Sequence, residues 1–137
     1  DFPIKLRGTV DRIDELDGVT RIIDYKTGKV ESNQLKMNDF NLISEDYKYT
    51  KAMQVMLYSF MYAATSSKSI SELQSGIISF KNLKEGFLKM NFSEEFSGKD
   101  FWVSEARIED FMGAMNDLIS EILNPEIPFI QNENLPF

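Results

Sequence analysis

Chemistry in this chain has to come from a short set of side chains. None of its 137 residues is Cys and none is His. That excludes disulfides, thiolate zinc sites, Cys-ligated iron–sulfur clusters, Cys nucleophiles and Ser-His-Asp triads. Carboxylates, Lys, Tyr and a hard cation held by oxygen remain. Asp11, Asp24 and Lys26 stand out by spacing. The Asp17-Gly18 step between them signals a two-residue hairpin, because both central positions of a type I′ turn need φ > 0. That turn pairs Leu16 with Val19, Asp14 with Arg21, Ile13 with Ile22, Asp11 with Asp24 and Thr9 with Lys26. Strand alternation then puts Asp11, Asp24 and Lys26 on one face and an Asp14–Arg21 charge pair on the other. Two carboxylates so opposed repel, with Cβ atoms only ~4.5–5.5 Å apart. A divalent cation between them turns repulsion into chelation, Lys26 adds a positive charge, and the backbone carbonyl of Tyr25 offers one more oxygen. Oxygen-only ligands select magnesium, manganese or calcium. The competing reading is a solvent-facing hairpin with scattered charge. Against it, Asp24 sits in the apolar run Ile22-Ile23-Asp24-Tyr25, which reads as a central strand, and a buried acid is costly unless something compensates it.

The elements that must position these residues follow from hydrophobic period. Residues 4–14 alternate and 19–26 are β-branched, so both read as strands. Residues 31–49 show no period. A connection that long is functional, partly helical or mobile. Within it Lys36, Lys48 and Lys51 lie among Phe40, Tyr47 and Tyr49, a composition able to contact nucleic acid by charge and stacking; a solvated loop is the plainer alternative. Residues 50–65 read as a helix with Thr50 as N-cap. Apolar residues surround most of its circumference, which predicts burial. Gln54 and Tyr58, four apart, share one of its faces, and polar tips there need partners. Strands are expected at 75–81 and 86–92. The 3.6-residue spacing of Ile108, Phe111, Met112, Met115, Leu118, Ile119 and Ile122 predicts a helix over 105–123, capped by Ser104 and stopped by Pro125. Residues 124–137 read as an extended tail.

The length suits one domain, and 42% apolar with 27% charged residues is ordinary for a globular core. No apolar run approaches the ~20 residues of a membrane helix. Asp1 and the basic, strand-like residues after it do not make a signal peptide. A start in mid-pattern suggests a piece of a longer protein. Net charge is −7, but residues 91–137, with two bases and ten acids, carry the whole deficit. The acidic balance therefore argues against nucleic acid only for that last third.

Gly8-Thr9-Val10-Asp11-Arg12-Ile13-Asp14, then Ile23-Asp24-Tyr25-Lys26-Thr27-Gly28, then Gln54-Val55-Met56-Leu57-Tyr58, in this order, resemble the PD-(D/E)XK nuclease superfamily. More closely they resemble the RecB- and AddB-type nuclease domain of bacterial helicase–nuclease complexes. The resemblance implies a restriction-endonuclease-like α/β fold, a mixed sheet flanked by helices, over residues 1–137. It implies that Asp11 and Asp24 bind Mg2+ or Mn2+, that Lys26 is the catalytic lysine, and that Gln54 and Tyr58 support the site and touch DNA. It further implies a DNA exonuclease of the bacterial cytoplasm, partnered by a helicase domain or subunit in recombination and double-strand break repair. Two departures bear on this. Relatives usually add an acid or His from a helix upstream of the hairpin, which this chain starts too late to contain. In many relatives a tail like Asn124-Pro125-Glu126-Ile127-Pro128-Phe129 leads into a Cys cluster holding an iron–sulfur centre, and this chain has no Cys. The alternatives are a non-catalytic DNA-binding or scaffold module of the same fold, and a CRISPR-associated or phage-type exonuclease.

Overall fold

A computed structural model describes residues 3–130. Those residues form a mixed four-stranded sheet flanked by two helices. Strand β1 (Arg12–Leu16) turns through Asp17 (φ 53°) and Gly18 (φ 80°) into β2 (Val19–Lys26), so the expected double positive-φ turn is present. The ladder pairs Ile13 with Ile22, Asp14 with Arg21 and Leu16 with Val19. The predicted strand 4–14 is regular only from Arg12 onward, so neither Asp11–Asp24 nor Thr9–Lys26 is a ladder pair. The reason lies at Gly8 and Asp11. A Cβ on Gly8 would meet the Met61 side chain at 2.9 Å and the Tyr58 ring at 3.2 Å. The incoming chain thus lies close against the helix that carries Gln54 and Tyr58, and bends at Asp11 before it joins the sheet.

Helix α1 (Thr50–Thr65) crosses from β2 to β3 (Leu73–Ser79), which is parallel to it. Parallel neighbours require such a crossover. Strand β4 (Phe87–Lys89) closes the order β1-β2-β3-β4, antiparallel to β3. Helix α2 (Glu105–Ile122) follows, with Ser104 Oγ accepting the Arg107 N–H as its N-cap. Thr50 is not the cap of α1. The cap is Tyr49, and the Thr50 hydroxyl donates to the Tyr47 carbonyl at 2.6 Å.

The core occupies one sheet face. Ile22, Leu73, Ile77 and Met90 project there against Val55 and Met56 of α1 and Phe111 and Met115 of α2. Burying α1 all round would need material on both of its sides. Instead Ala52, Val55, Met56, Tyr58 and Ser59 are buried, while Phe60 and Met61 are half-buried and Ala64 is exposed. The 31–49 connection proves partly helical, with short 3₁₀ turns at Ser32–Leu35, Phe40–Ser44 and Tyr47–Tyr49. Phe40 is buried, edge-on to Phe111, so it cannot stack on a base. The tail begins with a turn after Asn124, whose carbonyl accepts the Ile127 N–H; residues 131–137 lie outside the described residues.

Candidate active site

The C-terminal end of β2 gathers most of the predicted residues. Ile22, Asp24 and Lys26 alternate onto the face that carries α1. Asp24 is 3% exposed. Its Oδ2 lies 2.8 Å from Lys26 Nζ. That ammonium is out of line for a hydrogen bond to it, and Oδ2 has no hydrogen-bond partner among the described residues. Lys26 Nζ donates instead to Gln54 Oε1 at 2.7 Å, and Gln54 Nε2 donates to Tyr58 Oη at 2.9 Å. Spacing by four on α1 is what stacks Gln54 over Tyr58. The two polar tips expected to need partners find each other and the lysine.

Asp11 arrives differently from the sequence expectation. Rather than facing Asp24 across a ladder, its Oδ2 accepts the Tyr25 N–H at 2.8 Å. β1 starts two residues after Val10, the position that would have paired with Tyr25, and the Asp11 carboxylate satisfies the Tyr25 amide instead. That amide belongs to the peptide joining Asp24 to Tyr25, so Asp11 still reaches the edge of β2 beside Asp24. The Lys26 carbonyl points the other way, to the Phe80 N–H at 2.8 Å. Successive carbonyls alternate sides along a strand. The Tyr25 carbonyl therefore points to the Asp11 edge, where β1 no longer pairs with it.

This donor set fits a hard divalent cation. Two carboxylates and a backbone carbonyl are oxygen ligands of the right class. A buried carboxylate oxygen without a hydrogen bond is uncommon; the Lys26 ammonium at 2.8 Å offsets its charge, and its lone pairs remain free for a metal cation. Among the described residues, no third acid joins them.

Several residues that hold this end of β2 gave no sequence signal. Phe80 stacks on Tyr25, with ring centroids 5.7 Å apart. Buried Ser79 donates its Oγ–H to the Gly28 carbonyl at 2.8 Å. Asn82 brackets Val30, accepting its N–H and donating to its carbonyl. All three contacts join residues more than fifty positions apart in the chain, beyond the reach of local pattern. The Asp14–Arg21 pair forms as expected, on the opposite sheet face. Arg21 Nε and Nη2 donate to the two carboxylate oxygens at 2.7 and 2.8 Å, and this holds the Asp14 carboxyl below its ordinary range.

A family model for the PD-(D/E)XK nuclease superfamily matches residues 1–134. The chain belongs to the PD-(D/E)XK nuclease superfamily. No curated protein and no solved structure matches it. PD-(D/E)XK nucleases generally depend on divalent metals, which agrees with the oxygen donors at the end of β2. The absence of Cys excludes a Cys-ligated iron–sulfur cluster in this chain. Among the described residues, no helix is long and apolar enough to cross a membrane.

Proposed function

We propose that this chain is the core of a divalent-metal-dependent deoxyribonuclease that hydrolyses DNA phosphodiesters from strand ends, as RecB- and AddB-type domains do. In this reading it takes DNA from a helicase domain or subunit in recombination and break repair in the bacterial cytoplasm. The observation that carries it is the Asp24 carboxylate, buried, bare at Oδ2 and 2.8 Å from a lysine that α1 holds in place. Asp24, Asp11 and the Tyr25 carbonyl would hold Mg2+ or Mn2+. When bound, such an ion neutralises phosphate charge and lowers the pKa of water. The residues do the rest. Gln54 fixes the Lys26 ammonium through Oε1 and is itself fixed by Tyr58. Held there, Lys26 presents its charge to a phosphoryl oxygen and orients the attacking water, at no reorganisation cost during reaction. Gln54 and Tyr58 are positioning residues.

The test is cleavage of end-labelled DNA with Mg2+ or Mn2+. Stepwise loss of nucleotides by the wild type, abolished by EDTA and by Asp24→Ala, supports the reading. Equal cleavage by Asp24→Ala sinks it. A second reading, a DNA-binding module without catalysis, draws on the lack of a third acid beside Asp11 and Asp24 among the described residues. It predicts DNA binding without cleavage under every metal condition.

A further inference from the structure

The outer edge of β4 carries a groove of about 530 Å³. Phe87, Phe96 and Phe101 line it together with Lys89 and Lys99, and Glu85 is the one acid among its lining residues. A cationic, aromatic groove is out of keeping with a chain of net charge −7. The Phe96 ring is fully exposed, which for a side chain of that size is unfavourable in isolation.

The loop that presents Phe96 is braced rather than loose. Lys36 Nζ donates to the carbonyls of Glu95 and Phe96 at 2.6 and 3.0 Å and lies 5.7 Å from the Phe96 ring centroid. Asn91 ties both ends of the loop, accepting the N–H groups of Ser93 and Asp100 and donating to the Gly98 carbonyl. Lys89 Nζ stands 5.3 Å from the Phe101 centroid. Two aromatic rings, each with a lysine against it, thus flank one groove.

We infer that this groove binds single-stranded DNA, with Phe96 and Phe101 as stacking platforms for bases and Lys89 and Lys99 meeting the phosphates. This rests on the nuclease reading only for its role in feeding substrate. Base faces are open in a single strand and closed within a duplex, so exposed rings beside cations select the former. Tyr25, Ile78 and Phe87 form one cross-strand row on the sheet face opposite Asp24 and Lys26, so the groove starts two strand spacings, roughly 10 Å, across the sheet from that end of β2, and a flexible single strand leaving it reaches the site around the β4 edge.

The experiment measures anisotropy of a labelled oligo-dT and of a blunt duplex of the same length, in EDTA, so that binding is read without cleavage. Phe96→Ala should weaken oligo-dT binding about 5-fold or more and leave the duplex unchanged, and Phe96→Trp should restore it. Lys99→Gln should lower the salt dependence of oligo-dT binding by roughly one phosphate contact. Phe96 has no buried contact to lose, so misfolding does not confuse the result. Oligo-dT affinity within 2-fold of wild type in Phe96→Ala would overturn the inference and point to a protein partner for the ring. Weakened binding in a protein that cleaves nothing would uphold this site while the nuclease reading fell. Metal-dependent cleavage with unchanged Phe96→Ala binding would do the reverse.

Discussion

The β1–β2 hairpin carries two aspartate–cation pairs on its opposite faces, and they are built to opposite ends. Asp14 is a finished structural pair. Arg21 grips both of its oxygens, and Arg12 adds a third contact at 2.7 Å. Asp24 is more deeply buried and less well satisfied: its Oδ2 lacks a hydrogen bond, and Lys26, which ion-pairs with it at 2.8 Å, gives its hydrogen bond to Gln54. Bidentate Arg–carboxylate geometry uses up lone pairs and stabilises. Leaving a buried oxygen bare does the reverse and keeps a ligand position available. Folding alone would favour the first arrangement in both places; the second is the one the proposed function requires of a metal ligand.

The two aspartates separate most clearly when each one's charge is removed in turn. Asp24→Asn should lower the metal-dependent cleavage rate by about 10³-fold or more, the scale of several kcal/mol of lost charge stabilisation, while unfolding stability stays within about 1 kcal/mol. Asp14→Asn should leave cleavage near wild type. Steady-state cleavage and urea melts on both variants read the two effects separately.

Next in size is Lys26. Lys26→Met should reduce cleavage about 10²-fold, measured as single-turnover rates. Lys26→Arg should not restore it, because a planar guanidinium cannot reproduce the single point at which the ammonium meets Gln54 Oε1. The helix residues should act more weakly and in order. Gln54→Leu, which loses both the lysine and the tyrosine contact, should cost roughly 10-fold, and Tyr58→Phe, which loses only the acceptor of one hydrogen bond, less than that.

How much of this was legible beforehand follows the range of the forces involved. The hairpin, its Asp14–Arg21 pair and both helices rest on local signals: a turn that demands two positive φ values, β-branched alternation and a 3.6-residue period. Asp24 and Lys26 share one face, and Gln54 and Tyr58 share another, as their spacing implied; that the two pairs meet followed only from the family resemblance. The start of β1 was not legible, because it depends on the chain packing at Gly8 against Met61 and Tyr58, some fifty residues on. Asp11 consequently takes an amide rather than a ladder position. The 31–49 connection was illegible for the same reason. Leu35, Met37 and Phe40 are buried by partners such as Phe92 and Phe111, and Met37 N–H is held by the Asn91 carbonyl, none of which a local window contains.

The smallest expected effect is a pH dependence that belongs to Asp14 alone. Arg21 hydrogen bonds, more than its charge, hold that carboxyl below its ordinary value. A carboxyl depressed by folding contributes stability above its unfolded pKa of about 3.9 and loses it as pH falls through the folded value. Wild type should therefore exceed Asp14→Asn by about 1 kcal/mol in urea melts at pH 7, and the gap should close progressively below about pH 4.

In the proposed function Asp24 Oδ2, buried and without a hydrogen bond, is a metal ligand. Mn2+ binding without DNA, followed by the loss of its free-ion electron paramagnetic resonance signal, tests this directly on wild type, Asp14→Asn and Asp24→Asn. Equal affinity in the first two and at least ~10-fold weaker binding in Asp24→Asn is the predicted result. Mn2+ bound by Asp24→Asn as tightly as by wild type would contradict it.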